Sequence, residues 1–112
     1  LPRISLDRKP VNEFLAAVLG PYLLALKKRA MFTTNVCLDK NGKIEDMDFD
    51  VDYNLFQKIP IQVFEKIETY FLENVVVNYK INLLLDGANY YRPGIGWDLI
   101  DIKNIYMESI SK

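Results

Sequence analysis

Residues 31–51 read MFTTNVCLDKNGKIEDMDFDV. Apolar and polar side chains alternate on both sides of Asp39-Lys40-Asn41-Gly42-Lys43, so this stretch reads as two strands joined by a tight turn. Asn41-Gly42 predicts a type I′ turn, in which both central residues take positive φ. Phe32, Thr34, Val36 and Leu38 share one face of the first strand, and Met47, Phe49 and Val51 share one face of the second. Ile44 breaks the second strand's parity, which predicts a bulge or a slip near Glu45. Asp46, Asp48, Asp50 and Asp52 fall on the opposite face. The layer should therefore meet a core on one side and water on the other.

Upstream, the pattern changes period. Phe14, Leu15, Val18, Leu19, Tyr22, Leu23 and Leu26 recur at intervals of three and four, predicting a helix over 10–29. Pro10 suits its first turn, and Lys27, Lys28 and Arg29 suit a C-terminal dipole. Gly20-Pro21 should kink or split it, because proline removes a backbone donor. Residues 1–9 read as a polar tail.

Downstream, residues 53–59 read as a connector. Pro60 opens a second helix over 60–73, with Ile61, Phe64, Ile67, Tyr70 and Phe71 expected on its buried face. Residues 75–85 alternate as a half-buried strand. Asp86-Gly87 signals a second hairpin, returning over 90–101. Pro93 confines that returning strand to a sheet edge or a bulge. Ile102, Ile105, Tyr106 and Ile110 are spaced for a short closing helix.

A chain of 112 residues suits one domain with its own core. Apolar residues make up 50% and charged residues 26%, a globular and not a disordered balance. Net charge is -1, so the chain lacks the basic footprint that drives nucleic-acid binding. There is no histidine, which removes the commonest metal ligand and general base. The single cysteine, Cys37, permits no internal disulfide and reads as a small strand residue. The longest apolar stretch, 14–26, is broken by Gly20-Pro21 and too short to span a bilayer. The chain begins at Leu1 with no initiator methionine, which predicts a processed or trimmed product.

Four groups of residues invite a chemical reading. Asp46, Asp48 and Asp50 project from one strand face, where a hard cation such as calcium could bridge two carboxylates. A solvated face that discourages edge pairing accounts for the same pattern. The turn at 39–44 resembles the middle of an EF-hand loop, but its register puts Cys37 at the first ligand position and no helix enters it. Tyr90, Tyr91, Arg92 and Trp97 surround Pro93-Gly94 and Gly96, a grouping of aromatics and arginine typical of interface anchors. The alternative places Trp97 in the core, with the glycines permitting a bulge. Gly94-Ile95-Gly96 lacks the third glycine and following helix of a dinucleotide fingerprint. Glu65 and Glu68 flank Lys66 and read as solvated. No pair is nominated as acid and base, so the reading leans away from an enzyme.

The run NVCLDKNGKIEDMDFDVDYNLFQKIPIQVFEKIETYF, within residues 33–71, resembles the C-terminal domain of TonB-type energy transducers and their relatives in Bacteroidetes. In that family a strand ends in a turn like Asp39-Lys40-Asn41-Gly42-Lys43-Ile44. A second strand follows, then an acidic connector with a leucine, a helix and a further strand. The family's Trp-Lys-Pro-Gly-like segment after the helix is replaced here by residues 74–79. The resemblance implies a periplasmic or cell-envelope domain that pairs a sheet edge with another chain; a cytoplasmic setting is the alternative.

Together these readings predict an α+β domain: an antiparallel sheet of three to four strands with two helices packed on one face. The expected function is non-enzymatic binding of a protein partner, or of a second copy, through an exposed sheet edge. The terminal strand near Trp97 is the expected edge, with Tyr90, Tyr91, Arg92 and Trp97 as anchors. On this reading Trp97→Ala weakens partner affinity and leaves the fold intact. No cofactor is expected. The alternative is a small-molecule or calcium-binding module whose pocket, between sheet and helices, is lined by Tyr22, Tyr53, Tyr70, Tyr79 and Asp98.

Overall fold

The computed structural model describes residues 3–80 and 90–112, with Arg3 described by its backbone alone. The elements in chain order are β1 (Arg3–Ser5), α1 (Arg8–Leu19), β2 (Met31–Leu38), β3 (Ile44–Asp50), α2 (Tyr53–Phe56), α3 (Ile61–Asn74), β4 (Asn78–Lys80), β5 (Gly94–Asp98) and α4 (Leu99–Ile110). They form an α+β fold with two antiparallel sheets. One has three strands in the order β3-β2-β5, and the other pairs β1 with β4. Among the described residues no helix is long and apolar enough to cross a membrane.

The β2-β3 hairpin forms as the alternation requires, and Glu45 is the bulged residue. Cys37 pairs with Asp46 and Leu38 with Ile44, so Glu45 is skipped. The turn differs from the expected type I′. Only Gly42 has positive φ, at 82°, while Asn41 does not. Gly42 N–H donates to Asp39 C=O at 3.0 Å, and Asp39 N–H to Lys43 C=O at 2.9 Å. This is a turn closed by a single left-handed glycine, the commonest three-residue hairpin solution. The Asp39 carboxylate stabilises it by accepting from Asn41 N–H at 2.8 Å and Lys43 N–H at 3.0 Å. These local bonds fix a three-residue turn that shifts the pairing by one residue beside it, and the Glu45 bulge restores the expected register from Cys37–Asp46 onward.

The same contacts hold the Asp39 carboxyl below its ordinary value of 3.8. The Lys43 backbone N–H is the largest cause; partial desolvation opposes it, and the Asn41 N–H adds to it. A carboxyl whose folded value is depressed adds stability above its unfolded value and loses it as pH falls through the folded one. The contribution is therefore complete above pH 3.8 and fades below it. Asp39→Asn keeps an acceptor oxygen but cannot titrate. Its urea midpoint should fall less than that of the parent chain between about pH 6 and about pH 3. Equal losses in the two proteins would separate this carboxylate from the acid sensitivity of the fold.

The helix expected over 10–29 stops early. Asp7 caps α1 by accepting from Lys9 N–H, and Val11, Leu15, Ala16 and Leu19 are buried. Gly20–Tyr22 then tightens into a single 3-10 turn around Pro21, and residues 24–30 are not helical. Lys27, Lys28 and Arg29 are thus loop residues, not a helix terminus. Proline's missing donor accounts for the break, and Gly20 accounts for its close packing. A Cβ on Gly20 would lie 2.2 Å from the Tyr106 ring of α4. The expected tail is not free either, since Ile4 pairs with Tyr79 and Ser5 with Asn78.

In α3 the buried face is Val63, Phe64, Ile67 and Phe71, set one step round from the expected face. Pro60 occupies the N-cap, which leaves Ile61 at the first helical position and 56% exposed. Tyr70 is half-buried because it stacks on Phe14 of α1, with ring centroids 4.0 Å apart. The connector holds the short helix α2, capped by Asp52 through Leu55 N–H.

Val75 and Val77 are buried and Val76 is exposed, as the alternation predicts, although the described strand covers only Asn78–Lys80. Asp86-Gly87 and the expected strand residues Ile81, Leu83 and Leu85 lie outside the described residues. β5 is an edge strand that begins just after Pro93, whose carbonyl accepts from Val36 N–H on the inner side, and it pairs with β2. Closing helix α4 is capped by Asp98 and buries Leu99 and Ile102.

The core lies on the sheet face formed by Phe32, Val36, Leu38, Met47, Ile95 and Trp97, beneath residues of α1 and α3. On the opposite face Asp46, Asp48, Asp50 and Gly94 are exposed, and Thr33 and Asn35 are partly so. Cys37 sits in β2 as a buried free thiol.

Candidate functional site

The aromatic group expected to form one surface is divided by the fold. Tyr90 is 54% exposed and Arg92 is exposed. Tyr91 is half-buried: its backbone exchanges two hydrogen bonds with Leu38, and its ring lies 5.1 Å from that of Tyr79. Trp97 is inside the core at 1% exposure. Its indole N–H donates to Thr34 Oγ1 at 3.1 Å, and the Thr34 hydroxyl donates to Ile95 C=O at 3.4 Å. Phe71 meets the indole edge-on at 6.0 Å, and the Arg8 guanidinium lies 4.6 Å from its ring centre. Trp97 is a core residue and presents no surface to a partner. The alternation of β5 is the reason, since it turns Ile95 and Trp97 inward and Gly94 and Gly96 to the other face.

The two edges of the three-stranded sheet are unlike. In β2, Phe32, Thr34, Val36 and Leu38 direct their backbone groups toward β5 and its approach, as the bonds at Val36, Leu38 and Tyr91 require. The intervening Thr33, Asn35 and Cys37 direct theirs toward β3. It follows that Gly94 and Gly96 hold the outward backbone groups of β5, while Met47 and Phe49 hold those of β3. The β5 edge is partly closed: Arg8 donates to Gly96 C=O at 2.8 Å. On β3 the Met47 N–H is taken by the neighbouring Asp46 carboxylate at 2.9 Å. Where the chain enters β3, Val77 N–H donates to Gly42 C=O, so the edge beyond that point is the open part.

The carboxylate row lies on the solvent face of β3. The Asn35 amide donates to Asp48 at 2.8 Å and to Asp50 at 3.0 Å, so an uncharged donor bridges this pair. Among the described residues no three acidic or thiol side chains converge as metal ligands would. A straight strand explains this, because alternate side chains point in parallel and do not converge on a point.

On the core side of β3, next to its open edge, is a groove of ≈ 360 Å³ between the strand and helices α2 and α3. Phe49, Phe56, Phe64 and Ile61 line it, with Asp50, Glu65 and Glu68 at its margin. Its aromatic floor is continuous: Phe49 and Phe56 lie 5.5 and 5.3 Å from Phe64. Tyr53 stands beside it at 70% exposure. The sequence reading missed Phe56 and Ile61. Phe56 falls in the expected connector, and Ile61 on the expected buried face of the second helix, so neither reads as surface.

The residues named for an enclosed pocket do not share one. Tyr53 borders this groove, Tyr70 stacks on Phe14, and Tyr79 donates its hydroxyl to Asp39 C=O at 2.9 Å. Asp98 caps α4 and pairs with Arg29 at 3.1 Å, and Tyr22 lies in the turn after α1. Compared with family models, curated proteins and solved structures, the chain matches none of them.

Proposed function

We propose that this domain is a non-enzymatic binding module that receives an extended protein segment along an edge of its three-stranded sheet. The observation that carries this reading is the pair of outer strands, β3 and β5, each with one side paired to β2 and outward backbone groups on the other. Bare donors and acceptors on an edge are a template for another strand, and main-chain bonds supply affinity while alternate side chains supply specificity. The resemblance to TonB-type transducer domains supports the same mode of binding and a cell-envelope setting. A second copy of the chain is the simplest alternative occupant.

Selection of linear peptides displayed against the folded chain tests the reading. Enriched peptides should share alternating apolar positions, and when bound should slow amide exchange in β3 or β5. Enrichment of peptides that leave both strands unprotected would refute it. Concentration-dependent light scattering, with protection of the same strands, would assign the edge to self-association.

A further inference from the structure

We propose that β3, and not β5, is the receiving edge, and that its partner is an extended segment alternating basic and apolar residues. This rests on the edge-binding reading above. At β5 an incoming strand must displace Arg8, which holds Gly96 C=O and lies against the Trp97 ring. At β3 among the described residues nothing bonds the Met47 C=O or the Phe49 N–H and C=O.

The two faces flanking that bare strand differ in chemistry. Phe49 points to the groove side, where exposed Phe56, Tyr53 and Ile61 leave apolar surface uncovered. Asp46, Asp48 and Asp50 point to the other side. Among the described residues none of them is within 4.0 Å of a lysine or arginine; the one ion pair is Arg29–Asp98. Glu65 and Glu68 add negative charge at the groove margin.

A strand adding at the usual spacing of about 4.8 Å aligns its side chains face for face with those of β3. A residue opposite Phe49 would drop an apolar side chain over the groove. Its neighbours on either side would stand opposite Asp48 and Asp50, where lysine or arginine is favoured and an acidic residue is repelled. The strand's own alternation therefore specifies the partner's alternation.

Amide chemical shifts of the labelled full chain, titrated with four capped peptides, test this. The first is Lys-Val-Lys-Phe-Lys-Val-Lys. The others replace lysine by threonine, replace lysine by glutamate, or scramble the order to Lys-Lys-Val-Val-Phe-Lys-Lys. The alternating basic peptide should perturb residues 45–50 and bind at least about tenfold tighter than each of the others, as one desolvated charge contact would give. Asp46→Lys with Asp48→Lys should erase that preference, and Ile61→Asp should weaken all apolar-anchored binding. If charge reversal disturbs the circular dichroism spectrum, Asp46→Asn with Asp48→Asn serves, with a smaller loss. Equal binding of the threonine peptide at 45–50 would overturn the charge inference, equal binding of the scrambled peptide would overturn the alternation, and either would leave edge binding standing. Shifts confined to 94–98 would overturn the choice of β3. No perturbation of either edge by any peptide would overturn both.

Discussion

Trp97→Ala is expected to cost the fold about 3–5 kcal/mol, the range for deleting a buried tryptophan side chain. A domain of this size has a total of about 5–15 kcal/mol, so the loss is a large fraction of it. The indole is buried between Thr34 of β2 and Phe71 of α3. Its loss also strands Arg8, whose charge lies over the ring and whose donor reaches Gly96. Trp97→Phe keeps most of the apolar contact and loses the bond to Thr34, for a cost of about 1–3 kcal/mol. Urea melts followed by far-ultraviolet circular dichroism measure both. A Trp97→Ala chain that loses less than about 1 kcal/mol would remove Trp97 from the core.

Gly42→Ala should be the next most damaging change, at about 2–5 kcal/mol. A left-handed alanine costs about 1–2 kcal/mol, and a disrupted bond to Val77 adds a further amount of about 1–3. The close approach is specific. A Cβ at position 42 would lie 2.0 Å from the Val77 carbonyl oxygen, where the chain leading into β4 crosses the hairpin turn. Asparagine tolerates the left-handed backbone, so Gly42→Asn separates the two causes. Equal losses for Ala and Asn assign the effect to the Val77 contact, and a much milder Asn assigns it to the backbone. A thermal midpoint unchanged by Gly42→Ala would contradict both.

The parts of this fold that were legible in the sequence are those decided locally. The β2-β3 hairpin, its Glu45 bulge, the edge position of β5 and the closing helix all follow from periodicity, parity and one proline. The parts that were not legible are decided by distant partners. Arg3–Ser5 carries no strand signal of its own and becomes a strand by pairing with Asn78–Lys80. The phase of α3 is set by what Phe64 and Phe71 meet, which turns Ile61 outward despite its hydrophobicity. Trp97 has the composition of an interface anchor, and only its alternation with Gly94 and Gly96 in β5 determines that it points inward. The groove beside β3 arises where α2 lies next to α3, a placement no local pattern encodes. Even the turn chemistry was half readable: Gly42 was recognised, but the Asp39 carboxylate selects a different backbone for Asn41.

The third strand of the main sheet has a kinetic consequence. Thr34 and Trp97 are joined across 63 residues, Arg8 and Gly96 across 88, and Leu26 and Lys103 across 77. Distant closures of this kind are slow, because the entropy of looping must be surrendered before any contact repays it. During synthesis the hairpin can zip as soon as it emerges, yet β2 must wait with one flank open until residues 94–98 leave the ribosome. For that interval the nascent chain exposes the same strand surface that the finished domain conceals beneath β5.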